Sequence, residues 1–138
     1  MGINAVWQNE NGVEIDRVDD PQSYFSLLVL ATPLDEFVCL RFVDPYGDTY
    51  FNRLQKPVLL IELARVRAVF TDSLLSTYYA DQVRQARTAG LQETVIEQLA
   101  ARQGLLIAHK VQEHVDVIAA LVERSVDRLH TYIRLVGD

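Results

Sequence analysis

Apolar side chains recur every three or four residues through Ile107, Val111, Val115, Ile118, Val122 and Val126, which is the spacing of one face of an α-helix and predicts a helix over 106–127. The same period runs through Leu59, Leu63, Val66 and Phe70. Because Lys56-Pro57 places proline where a first helical turn tolerates it, a helix is expected over 57–70. Thr71-Asp72-Ser73 then offers a cap for a helix over 73–89, and residues 92–103 form a shorter one ending at Gly104. Towards the N-terminus the pattern changes. Residues 3–8 and 13–18 are β-favouring runs joined by Asn9-Glu10-Asn11-Gly12, a connector that supplies the positive φ of a tight hairpin. Asp19-Asp20-Pro21 carries N-cap chemistry for a helix over 22–31, which Pro33 ends.

The run Phe37 to Val43 is rich in aromatic and β-branched residues and predicts a strand over 37–43. Asp44-Pro45-Tyr46-Gly47 matches a type I turn with Gly47 in the left-handed position, leading into a partner strand over 49–54. If Asp44 opposes Asp48, Phe42 pairs with Tyr50, Leu40 with Asn52 and Val38 with Leu54, which points Asn52 at the apolar face. In the tail, Leu129, Ile133 and Val136 could extend the last helical stripe, but composition and alternation favour a strand over 130–136. The expected fold is α+β: a single domain, 1–138, with an antiparallel sheet of about five strands covered on one face by helices.

Charge is distributed unevenly. Of the net −6, residues 1–50 carry nine acidic and two basic side chains, a balance of −7, whereas residues 51–138 carry ten and eleven, a balance of +1. No basic stripe exists to replace phosphate counterions, which argues against nucleic acid as a partner. The N-terminus has neither a basic n-region nor a long apolar run, so no signal peptide or membrane span is expected, and the single cysteine, Cys39, fits a reducing cytosol.

The candidate chemistries are weak. His109 and His114 are five apart and diverge on a helix, while His109 and Glu113 suit a surface pair. Isolated glycines form no phosphate loop or dinucleotide fingerprint, no serine sits in a nucleophile elbow, and no cofactor or metal is called for. Tyr78-Tyr79 are adjacent on a helix, so one is expected to face the core and the other water. A polar cluster of Asp44, Asp48, Asn52, Gln55 and His130 is the candidate for a pocket or for structural cross-links.

The segment Asp44 to Gln55 (DPYGDTYFNRLQ), the apolar helix through Glu62-Leu63 and the ending from His130 to Asp138 together resemble a group of small uncharacterised bacterial proteins. That resemblance implies a bacterial cytosolic origin and a C-terminal strand, and nothing about chemistry. Two functions follow as expectations. The first is a noncatalytic protein-interaction or regulatory role, comparable in size and acidity to toxin-neutralising immunity proteins, with Asp16, Asp19, Asp20 and Asp35 meeting a partner. The second is a small enzyme or ligand-binding protein with a pocket between sheet and helices. A homodimer seam through Ile107, Val111, Val115, Ile118 and Val122 is a further expectation.

Overall fold

The computed structural model describes residues 1–138. In chain order the elements are β1 (Ile3–Asn9), β2 (Glu14–Val18), α1 (Tyr24–Ala31), β3 (Asp48–Phe51), α2 (Lys56–Val69), α3 (Asp72–Thr88), α4 (Glu93–Arg102), α5 (Ala108–Ser125) and β4 (Thr131–Gly137), with one 3₁₀ turn at Leu40–Phe42. The sheet is antiparallel in the order β2-β1-β4-β3, so the C-terminal strand fills the centre beside β1. The tail is therefore a strand. The five helices lie within two residues of their expected limits.

The first hairpin closes as its connector requires. Gly12 takes φ 79°, and the Asn9 side chain accepts hydrogen bonds from the amides of Asn11 and Val13. The β1–β2 register shifts beyond Trp7, leaving Ile15 as a bulged residue that kinks the edge strand. In β4, Thr131, Ile133 and Leu135 are buried and alternate with half-buried Tyr132, Arg134 and Val136. Helix α5 packs against β1, β2 and β4 and also contacts α1 and α2, while α4 packs on α3.

The sheet has four strands, not five. Residues 37–43 form no strand, because the Glu62 side chain competes for their amides: its carboxylate accepts from Val38 at 2.8 Å, Cys39 at 2.8 and 3.0 Å, and Leu40 at 3.0 Å. The loop still buries Phe37, Cys39, Leu40 and Val43, so an apolar run rich in strand formers is satisfied without a ladder. Strand β3 pairs with β4 instead, Tyr50 opposite Arg134 and Phe51 opposite Ile133. The Asp44–Gly47 turn does form, with the Gly47 amide donating to the Asp44 carbonyl at 3.3 Å, but Gly47 does not adopt positive φ. The turn docks on the end of β4: a Cβ at Gly137 would sit 2.3 Å from the Pro45 carbonyl oxygen, so only glycine permits this approach.

Candidate functional site

The four acids expected to face a partner do not share one role. Asp16 pairs with Arg124 of α5, and Asp19 with the Arg17 Nε at 2.7 Å, yet both stay half exposed. Asp35 is exposed beside Glu36. Asp20 is the exception and the correction. It is 3 % exposed, and its carboxylate accepts the amides of Ile3 (3.0 Å), Tyr24 (2.7 Å), Phe25 (3.1 Å) and Ser26 (3.2 Å), tying β1 to the start of α1. Those amides of the first helical turn lack intrahelical partners, and one buried carboxylate serves three of them. His114 Nε2 lies 3.4 Å from Asp20 Oδ1 but outside hydrogen-bond geometry. Asp20 is therefore a structural hub with no carboxylate oxygen to offer a partner.

The proposed polar cluster is also divided. Asp44 Oδ1 accepts from the Tyr46 amide at 2.8 Å inside its own turn, while Asp48 holds Arg134 through Nε at 3.0 Å and Nη2 at 2.6 Å. Asn52 does not face the core: without the expected hairpin it is exposed. Its side chain accepts the amides of Leu54 (3.0 Å) and Gln55 (3.2 Å), and Gln55 Oε1 accepts the Asn52 amide at 2.9 Å. This reciprocal pair is a capping box that starts the turn leading into α2. His130, at φ 57°, shares a shallow cavity of about 210 Å³ with Asn52, and its Nδ1 lies 3.3 Å from Glu10. Asp44 and Asp48 lie at the other end of β3 and do not line that cavity.

The expected homodimer seam is corrected as well. Val111, Val115, Ile118 and Val122 are each at most 1 % exposed, packed into the single core cluster that α5 shares with the sheet, α1 and α2. Ile107 is half-buried and lines a cavity between helices. Nothing of this stripe remains to meet a second copy.

Two buried ionisable groups were not among the expected site residues. Glu62, 2 % exposed, anchors the 37–43 loop, and Lys56 is fully buried, its Nζ donating to the Ser125 carbonyl at 2.9 Å and to Thr131 Oγ1 at 2.8 Å. Burial pushes the Lys56 amine below its ordinary pKa, and burial followed by the nearby Glu62 pushes the Cys39 thiol up. Glu62 falls three residues after Leu59 and four before Val66, and Lys56 three before Leu59, so both flank the apolar stripe of α2, a spacing that marks them as candidates for burial.

The β3 end carries a different feature. The Gly137 amide donates to the Gly47 carbonyl at 2.8 Å, so in this antiparallel ladder residues 47, 49 and 51 bond towards β4. Asp48 and Tyr50 consequently direct their amides and carbonyls away from the sheet. Tyr50 (52 % exposed) on this strand and Phe42 (64 %), whose carbonyl accepts from Thr49, present large apolar side chains to solvent, as do Tyr46 (68 %) in the turn before β3 and Leu54 (81 %) in the turn after it. Arg41 lies 4.8 Å from the Phe42 ring centre and Arg134 5.7 Å from that of Tyr50. No helix is long and apolar enough to cross a membrane. No family model matches the chain, and no curated protein or solved structure is significantly similar to it.

Proposed function

We propose that the protein is a noncatalytic interaction module whose contact surface is the free edge of β3 with its surrounding aromatic side chains, and that the partner contributes an extended segment. The observation that carries this reading is the coincidence of unpaired strand groups at Asp48 and Tyr50 with exposed Phe42, Tyr46, Tyr50 and Leu54. Strand addition draws affinity from main-chain hydrogen bonds and specificity from alternate side chains, and this edge offers both. Natural sheets usually protect such edges with charge, proline or a bulge, as β2 does with Ile15. The acidic residues Asp16, Asp19 and Asp35 are secondary, a source of attraction for a basic partner at low salt.

In this reading the helices blanket the sheet face that carries Ile3, Ala5, Trp7, Ile133 and Leu135. The opposite face, where Arg17, Val6, Arg134 and Tyr50 form one cross-strand row, continues the surface next to the edge.

Capture from a native lysate by three proteins tests the assignment. Tyr50→Pro removes an outward amide without removing a β3–β4 bond, and is expected to abolish capture of whatever the native protein retains. Lysines at Asp16, Asp19 and Asp35 should weaken capture only at low salt. In the purified complex, hydrogen exchange should slow at the Asp48 and Tyr50 amides. Capture lost with the triple-lysine variant but kept by Tyr50→Pro would return the contact to the acidic set.

A further inference from the structure

Between α1, α3 and α4 lies a cavity of about 500 Å³, within the range of small-molecule sites. Leu27 and Leu30 of α1 and Leu99 of α4 supply apolar wall. Adjacent residues on one helix should diverge, but Tyr78 and Tyr79 both line this space, their ring centres 5.4 Å apart and inclined by 57°. The expectation that one of them faces water is corrected in part: Tyr79 is buried, and Tyr78 is half-buried, lying between this space and a second cavity that it lines with Ala31 and Pro33.

The donors in this cavity lack acceptors. Neither phenol hydroxyl is held by a hydrogen bond within the chain; burial raises both phenols above their ordinary pKa, Tyr79 and Tyr46 add to the rise at Tyr78, and Arg102, which lines the same cavity, acts in the opposite direction on both. Arg17, Arg67, Arg84, Arg124 and Arg134 each hold a carboxylate, and Arg41, Arg65 and Arg128 lie over aromatic rings. Arg102, like Arg53 and Arg87, does neither, and of these three it is the one that stands exposed at the rim of the largest apolar cavity.

We infer that this cavity binds a compact amphipathic carboxylate, its apolar body between Leu27, Leu30 and Leu99 and its carboxylate held by Arg102 and the two tyrosine hydroxyls. A phenol is protonated across the physiological range and donates to a carboxylate, while the planar guanidinium matches a carboxylate in two-point geometry. The net charge of −6 opposes an anion, but charges beyond about 8–10 Å are screened at physiological salt, so the adjacent guanidinium governs the site. The inference does not use the strand groups of the β3 edge, although Tyr46 of that surface acts on Tyr78.

Calorimetric titration with 2-naphthoate and with octanoate, against the neutral 2-naphthamide, tests it on the intact chain. At least one of the two acids should bind the native protein and shift the NMR signals of Tyr78, Tyr79 and Leu99. Arg102→Gln, a change at an exposed position that should leave the thermal midpoint in place, is expected to weaken acid binding by roughly tenfold or more, the worth of one charge-assisted contact. It should leave any naphthamide binding unchanged. Tyr78→Phe with Tyr79→Phe should produce a smaller loss. The inference is overturned if neither acid binds at millimolar concentration, if Arg102→Gln binds as well as the native protein, or if the shifted signals lie elsewhere.

Discussion

Single side chains hold this fold together at points where the backbone would otherwise be left without partners. Glu62 is the clearest case, since three consecutive amides of the 37–43 loop converge on one carboxylate that is 2 % exposed. Glu62→Gln keeps the shape but turns an NH₂ towards amides that need an acceptor. It is expected to cost about 1.5–3 kcal/mol, the worth of a hydrogen bond to a charged group, measured by urea unfolding, with faster hydrogen exchange at Val38 to Leu40. Gly137→Ala tests close approach in the same way: its Cβ would strike backbone rather than a movable side chain, and overpacking of this kind costs about 1–3 kcal/mol. Lys56 makes a prediction in pH. Its amine has a folded pKa below the ordinary value, so the unfolded chain binds more protons between the two, and stability rises as pH climbs through that window. Below the folded pKa the charged amine is a penalty. Lys56→Met should therefore lack this rise, and the difference between its thermal midpoint and that of the native protein should change in favour of the native protein as the medium becomes alkaline.

Elements were legible in the sequence where one period ran without competition. The helices α2 to α5 follow from apolar spacing and from caps that the structure retains, such as Thr71, whose side chain accepts the Leu74 amide at 3.2 Å. The hairpin over 37–54 was not legible, because its apolar run satisfies a buried loop as well as a strand, and the deciding partner, Glu62, lies more than twenty residues away. Sequence adjacency suggested that 49–54 would pair with 37–43; β4 outcompetes it by offering four aligned residues, Ile133 to Val136, from a strand already paired with β1 at the centre of the sheet. The same displacement altered Asn52 from a core amide into a cap. Asn52→Ala is accordingly expected to destabilise the protein by about 1 kcal/mol through loss of the capping box, with fraying at Arg53 to Lys56 and no effect on strand pairing. A hydrogen-exchange map that loosens β3 instead would contradict this assignment. Of the candidate site residues, Asp44, Asp48, Asn52 and Gln55 are all accounted for by local bonds, whereas the Tyr78–Arg102 cavity depends on how α4 returns across α3, which no spacing along the chain records.

For the molecule as a whole, the position of α5 decides what its apolar stripe can do. A seam between two copies and a buried core helix share one sequence pattern, but they respond differently to a charge. In a dimer seam, an aspartate at Ile118 would separate the copies and leave folded monomers, and the thermal midpoint of the native protein would rise with concentration through this contact. In the arrangement found here Ile118 is 1 % exposed within a cluster of 25 residues drawn from the sheet, the 37–43 loop, α1, α2, α3, α5 and Phe70 between α2 and α3. A carboxylate there would have neither partner nor water. Ile118→Asp is therefore expected to remove more than about 4 kcal/mol, close to the whole stability of a domain of this size, and to lose its far-ultraviolet helical signal at every protein concentration. Val117, one position away and 52 % exposed, is the matched control: Val117→Asp should fold with a midpoint near that of the native protein. A folded, monomeric Ile118→Asp would show that α5 meets a second copy after all. An unfolded one beside a folded Val117→Asp would leave association to other surfaces, the β3 edge among them.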